Sequence, residues 1–317
     1  MHLPESTTAD WSAAETAHPR MAALIASLAD QPPVPTAVVQ PTDHNALLGA
    51  LAAAHDKTIE PILVGQAEAI GAAAKEAGVS LEGLEIVPAE NGLAAARAAV
   101  ALVREGRAKA LMKGNLHTDE LLIAALDKAA GIRTSRRLSH CFLMDVPSYP
   151  KLLAVTDAAV NIAPELEVKA AIVQSAIDLV RALGVVQPKV ALLAAVETVN
   201  PKMPATLDAA ALCKMADRGQ ITGGILDGPL AFDNAISAEA AATKHIRSEV
   251  AGDPDILLVP EITAGNILVK ELTFLAGAAP AGVVLGAGAP IMLTSRADPI
   301  MGRRGSAAAA AALALKG

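Results

Sequence analysis

Residues 255–304 read DILLVPEITAGNILVKELTFLAGAAPAGVVLGAGAPIMLTSRADPIMGRR, and the reading of this stretch decides the fold. Ile256 to Val259 is a run of apolar β-formers, too short for a free-standing helix, and Pro260 ends it. That pattern predicts a buried parallel strand. Glu261 to Gly265 reads as a loop and Asn266 to Leu275 as a helix. The loop joins the C-terminal end of a strand to the N-terminus of a helix. Open α/β sheets bind ligands at such joints, because backbone N–H groups and the helix dipole converge on an anion. Gly282 to Leu285 predicts a second strand, running into Gly286-Ala287-Gly288-Ala289-Pro290. A third, Ile291 to Leu293, delivers Thr294, Ser295, Arg296 and Asp298 together. Hydroxyls, a guanidinium and a carboxylate at the end of a buried strand point to a site that handles an acyl or phosphoryl group. The same letters also describe a loop with a helix cap and a surface ion pair, and local pattern leaves both open.

The rest of the chain bounds that reading. Its 317 residues are long for one core, so two domains are expected. Hydrophobic residues make up 53% and aromatic ones only 2%, so the cores must be aliphatic, as in Ala-rich helices packed on Val/Ile/Leu strands. No apolar run reaches the ~18 residues of a membrane span. The polar start, MHLPESTTADWSAAETAHPR, has no signal-peptide pattern. Cys141 and Cys213 sit far apart in apolar segments, which reads as buried thiols in a reducing cytoplasm. A net charge of −7 argues against a nucleic-acid partner. Local basic clusters, Arg133, Arg136 and Arg137 and then Arg296, Arg303 and Arg304, suit small anionic ligands such as phosphates.

In chain order, residues 1–20 read as a loosely held tail. A helix over 21–28 and a Pro-rich break lead to a strand over 36–39. Helices over 44–55, 66–77 and 92–104 then alternate with strands over 58–64, 84–87 and 108–112. This βαβ rhythm predicts a parallel sheet with helices on both faces. Lys113, Gly114 and Asn115 follow the last of these strands, and Thr118 is placed to cap a helix over 119–130. A flexible cation and exposed amides at one spot form a phosphate cradle without a P-loop motif. An ordinary loop with a solvated lysine is the alternative, and His117 reads as structural. Arg133 to Arg137 leads into strands over 138–144, 151–156 and 158–162, a meander that marks the domain boundary. A helix over 165–183, a strand over 189–196, a helix over 207–218 and a strand over 221–226 follow. Asp227 and Asp233 are read as bracing the next loop, being too few for a metal set. A helix over 237–250 and an Ala-rich closing helix over 305–315, packed on the first sheet, complete the chain.

Taken together, four segments resemble the phosphate acetyl/butyryltransferase family: Lys113 to Thr118, DGPLAFDNAIS (Asp227 to Ser237), PEITAGNILVKEL (Pro260 to Leu272) and PIMLTSRAD (Pro290 to Asp298). The third and fourth lie in the opening stretch, and the second and fourth look closer to the butyryl branch. The resemblance implies an α/β fold of two α/β/α three-layer domains of the isocitrate-dehydrogenase type with a cleft between them. The expected domains are residues 1–145 with 290–317, and residues 146–289. It implies a homodimer or higher homo-oligomer and a reversible reaction of acyl-CoA with phosphate, giving acyl phosphate and CoA. Coenzyme A is then a substrate, with no permanently bound cofactor, no metal and no membrane partner. Ser295 and Arg296 match the family's Ser-Arg pair: Arg296 would face the phosphate or oxyanion, and Ser295 the carbonyl or thiol. Gly265, Asn266 and Lys270 would shape the cleft floor. Lys113, Gly114, Asn115, Thr118, Arg133, Arg136, Arg137 and Thr294 complete the expected substrate contacts.

One departure from the family matters. The acetyl branch carries S-R-G-x-S-x-x-D, whose last Asp is the proposed base, and Gly302 stands at that position here. Asp298 is the nearest carboxylate and the expected alternative. Two rival readings remain open on sequence: a metal-dependent dehydrogenase of the same fold, and a non-catalytic acyl-CoA- or phosphate-binding protein.

Overall fold

The computed structural model describes residues 5–294 and 298–316, with side chains from Trp11 onward. The chain forms two compact units, residues 1–136 with 279–317 and residues 137–278. In the first pass through unit 1, α1 (Glu5–Ala17) and α2 (Pro19–Ala26) precede β1 (Val34–Val39). Then come α3 (His44–His55), β2 (Ile59–Gly65), α4 (Ala67–Ala77) and β3 (Glu85–Pro88). The pass ends with α5 (Gly92–Arg104), β4 (Ala110–Lys113) and α6 (Thr118–Ala125). Unit 2 begins with β5 (Ser139–Asp145), β6 (Leu153–Thr156), α7 (Leu166–Ala182) and β7 (Lys189–Leu193). It continues with α8 (Pro204–Asp217), β8 (Ile225–Leu230), α9 (Phe232–Ile236) and α10 (Ala238–Thr243). Unit 2 closes with β9 (Ile256–Leu258) and α11 (Ile262–Phe274). The chain returns to unit 1 as β10 (Ala279–Leu285), β11 (Ile291–Met292) and α12 (Ile300–Ala314). No described helix is long and apolar enough to cross a membrane.

The unit boundaries fall at 136/137 and 278/279 rather than at 145/146 and 289/290. Strand pairing explains the difference. β5 pairs antiparallel with β6 inside unit 2, and β10 pairs antiparallel with β11 inside unit 1. The strand order in unit 1 is β3-β2-β1-β4-β11-β10, parallel except for β10. In unit 2 it is β5-β6-β9-β7-β8, parallel from β6 onward.

Local chemistry sets the helix starts. The Asp43 carboxylate accepts from the Ala46 N–H at 2.8 Å, and the Asn91 side chain accepts from the Ala94 N–H at 2.9 Å, each satisfying a first-turn donor. Helix α12 begins at Ile300, five residues before the expected start, and every residue from Met301 to Ala312 is buried. Its run of alanines lets α2, α3 and β10 approach closely. A Cβ at Gly305 would run into Met21 of α2.

Residues 1–20 are not a loose tail where the structure describes them. Helix α1 docks on α12: Trp11 is buried, and the Arg304 guanidinium lies 5.2 Å from its ring centre. Arg304 also pairs with Asp56 at 2.6 Å and with Glu15. A lone tryptophan in a polar stretch was the available signal, because the charged partners come from distant parts of the chain.

Four further elements differ from expectation. Residues 158–162 form no strand, because the Asp157 carboxylate draws back the N–H groups of Ala159, Val160 and Asn161. Helix α6 stops at Ala125, since Asp127 caps a turn through the Ala129 and Ala130 N–H groups. β8 runs over 225–230, so Asp227 lies in a strand and not in a loop. The helix over 237–250 is replaced by the short α9 and α10, and α10 ends before His245, whose φ is 56°.

Candidate active site

The sheet register of unit 1 places the expected site residues. Met112 of β4 pairs with Val38 of β1 on one side and with Met292 of β11 on the other. All three strands run parallel, so their C-terminal ends form one edge. Lys113 and Gly114 follow Met112 at the same level as Leu293 and Thr294 follow Met292. The structure therefore brings the Lys113 loop beside the residue that enters the Ser295-Arg296 pair, one strand spacing of about 4.8 Å away. Ser295 and Arg296 themselves lie outside the described residues.

Each member of this edge is held by nearby groups. Lys113 is buried, with Nζ 3.3 Å from the Gly114 carbonyl oxygen. Gly114 donates to Val39 O at 2.8 Å, and a Cβ there would strike the backbone carbonyls of Val39 and Gln40. Only glycine allows β4 to leave the sheet this tightly. Asn115 donates from its backbone to Gln40 O at 2.7 Å, and its side chain reaches Thr42 Oγ1 at 3.3 Å. Thr118 is not the cap of α6: it is the first helical residue, and the Glu120 carboxylate reaches back to the His117 N–H at 3.0 Å. Thr294 is buried and accepts from Arg303 Nη1 at 3.3 Å. Arg303 also donates from Nε to the Asp298 carbonyl at 3.4 Å, so one buried guanidinium holds the residues on either side of 295–297. Burial lowers the pKa of Arg303, opposed by the nearby charges of Asp298 and Asp43.

Within unit 1, the segment of Arg133 and Arg136 is not brought to this edge. Arg133 bridges Ala287, and the Thr134 hydroxyl donates to Gly286 O at 2.6 Å. That loop enters β11, so it lies at the end of the strand opposite Thr294. The backbone of Arg136 donates to the Thr134 hydroxyl at 3.0 Å. Arg137 belongs to unit 2, where its Nε donates to Asn161 Oδ1 at 3.0 Å.

Within unit 2 the expected anion site changes character. Helix α11 starts at Ile262, not Asn266, and its N-cap is Glu261. The Glu261 carboxylate accepts from the N–H groups of Thr263 and Ala264, both at 2.7 Å. The Thr263 bond, with that of Ala264, holds this carboxyl below its ordinary pKa. The amides that would cradle an anion are thus engaged by the chain's own carboxylate. Gly265 is a packing residue, since a Cβ there would sit 2.7 Å from Val259 Cγ2 and 2.9 Å from Ala158 Cβ. Asn266 donates to Ala158 O at 3.4 Å, and Lys270 is exposed. An open groove of about 460 Å³ beside Glu261 is also lined by Glu165, Asp208 and Lys169. Lys169 is neutralised by Asp208 at 2.7 Å, so the groove is acidic and unsuited to phosphates.

Neither cysteine sits in a setting that favours a thiolate nucleophile. Burial pushes the Cys141 thiol up, and burial with the charge of Asp227 pushes Cys213 up to about 12. Acyl transfer through a cysteine would need a thiolate that these settings disfavour.

Gly302 stands where the resemblance to the acetyl branch would put an aspartate, and the packing leaves no room for a side chain there. A Cβ there would run into the carbonyl oxygen of Pro280. Gly302→Ala is therefore expected to cost about 1–3 kcal/mol through overpacking, read as a lower melting temperature. Gly302→Asp should fail to restore a base and lose more stability. An aspartate variant as stable as the parent would contradict this packing.

The chain matches the family described as "Phosphate acetyl/butaryl transferase" over residues 91–311. It is 53% identical to a phosphate acetyltransferase of Rhizobium meliloti over 293 residues, covering 92% of this chain and 93% of that one. A phosphate butyryltransferase of Clostridium beijerinckii is 40% identical over 293 residues, 92% of this chain and 97% of that one. Among solved structures, a branched-chain phosphotransacylase from Enterococcus faecalis V583 superposes with a TM-score of 0.78 at 30% identity. It covers 89% of this chain and 99% of that chain.

Proposed function

This chain belongs to the phosphate acetyl/butyryltransferase family, and from that membership we infer an acyltransferase that moves an acyl group between CoA and inorganic phosphate. The observation that carries the reading is that one family pattern runs through all four motif segments, from Lys113 to Asp298. Phosphate oxygen attacks the thioester carbon, the carbon–sulfur bond breaks, and the thiolate leaves with a proton to collect. In reverse, the CoA thiol gives up its proton and attacks the acyl phosphate. In this proposal Arg296 stabilises the oxyanion that develops on the carbonyl, and Ser295 donates to the carbonyl or the leaving sulfur. Lys113 neutralises the phosphate at the neighbouring strand end, while the Gly114 and Asn115 N–H groups, held by Val39 O and Gln40 O, fix the loop that carries it. Asp298 is the proposed base for the thiol. No metal or nicotinamide enters these steps. The test is thiol release from acetyl-, propionyl- and butyryl-CoA: it should require phosphate with at least one donor. Equal release without phosphate would make the protein a thioesterase instead.

The assembly proposed is a homodimer in the cytoplasm. On α11, Ile267 is 59% exposed and Phe274, seven residues on along the same face, is 74% exposed; Leu275 beside it is 82% exposed. Aromatic and aliphatic side chains this bare on one helix face fit a self-complementary contact. Phe274→Asp should convert a dimer to a monomer in light scattering without lowering the melting temperature of the monomer. A parent protein that is already monomeric at micromolar concentration would sink this assignment.

A further inference from the structure

Gln40 was not singled out by the sequence, yet it stands where the edge of unit 1 is most constrained. It follows β1, with its N–H donating to Val64 O at 2.7 Å and its carbonyl accepting from Asn115 and Thr42 at 2.7 and 2.8 Å. Its φ is 53°, a left-handed backbone that glycine or asparagine would adopt more easily. Glycines flank it on both neighbouring strands. A Cβ at Gly65 would lie 2.7 Å from Gln40 Oε1, and one at Gly114 would strike the Gln40 carbonyl.

The residue is 5% exposed, and its Oε1 is buried with no hydrogen-bond partner. Turning the amide over would leave an N–H orphaned in the same place. Buried polar groups are normally satisfied, so an orphan at a ligand-binding edge calls for a partner the chain does not supply. Methionine would fill the same volume without the desolvation cost. The folded protein thus gains no hydrogen bond from this oxygen.

We propose that the Gln40 side chain hydrogen-bonds an amide of the pantetheine arm of acyl-CoA. This rests on the acyltransferase reading above. Gln40 is two strands from Thr294, about 10 Å at the usual spacing, and its side chain leans further away over the end of β2. The Gln40 side chain turns toward Gly65, away from the Lys113 loop to which phosphate is assigned, and the long arm of the acyl donor can span that distance. Each amide of that arm offers an N–H and a carbonyl, which complements a glutamine amide in both directions, whereas phosphate at neutral pH is mainly an acceptor.

Gln40→Met is the test variant, with Gln40→Asn as a second that suits the left-handed backbone but shortens the reach. Both should weaken CoA binding by calorimetry, and raise the KM for acyl-CoA, about five- to tenfold, the scale of one hydrogen bond. The KM for phosphate should stay unchanged, and the methionine variant should melt no lower than the parent. A thioester of N-acetylcysteamine, which lacks the second amide and the rest of the arm, should show a smaller difference or none. Unchanged CoA affinity would overturn the proposal, and so would a rise confined to the phosphate KM. A drop in melting temperature with proportional loss of all kinetic constants would make Gln40 structural. Failure of the parent protein to release thiol would instead count against the acyltransferase reading.

Discussion

Arg296→Ala is expected to cut turnover by about 10²–10³-fold with little change in folding, the scale for losing one oxyanion or phosphate donor. No other arginine of the cluster is placed to substitute for it. Arg304 is spent on Asp56, Glu15 and the Trp11 ring. Arg303 is buried against Thr294 and the Asp298 backbone. Lys113 belongs to the adjoining strand end and is assigned to phosphate. Arg296→Lys should recover only part of the loss, because an ammonium keeps the charge but not the planar fork. Steady-state kinetics on the purified variant, alongside a thermal melt, checks this. A folded Arg296→Ala enzyme with near-normal turnover would remove Arg296 from the chemistry.

Asp298→Asn should lower kcat by about 10²–10⁴-fold if the carboxylate takes the thiol proton. A base works deprotonated, so activity falls as the pH drops through its pKa, and the asparagine variant should lose that acidic limb. No side chain fits at Gly302, so that position cannot supply a carboxylate in place of Asp298. A structural role would look different. Pairing with Arg304 is not available, because that guanidinium is already held by two carboxylates. Support of Arg303 or of the start of α12 is a structural role, and its loss would appear as a melting temperature lower by the equivalent of about 1 kcal/mol, with the pH profile intact. Unchanged kinetics would leave thiolate stabilisation by Arg296 and Lys113 as the alternative to a base.

Much of the architecture was readable because it rests on local signals. The apolar runs and the Gly/Pro punctuation between them predict the βαβ alternation, and α3 and α5 start where their Asp43 and Asn91 caps dictate. What the sequence hid depends on partners distant in the chain. The docking of α1 needs Trp11, Glu15, Asp56 and Arg304, which span almost the whole length. The apolar run over 158–162 reads as a strand until the Asp157 carboxylate is seen to hold its backbone. At the site, the Lys113 loop and the Thr294 strand end were legible as strand-to-loop joints, but their adjacency is a property of sheet order. Glu261 looked like part of a ligand loop because nothing in its spelling shows that its carboxylate caps its own helix. Gln40 carries no motif; its interest lies in a buried amide and a backbone angle that only the structure displays.

The central claim is that acyl groups pass between CoA and phosphate on this chain. Phosphorus NMR of a mixture of enzyme, acyl-CoA and phosphate, with a chelator present and no nicotinamide, tests it most directly. An acyl phosphate signal should grow in step with free thiol, one for one, and reverse when CoA is added in excess. Thiol without acyl phosphate, or a reaction that appears only with metal and NAD and a hydroxy acid, would contradict it.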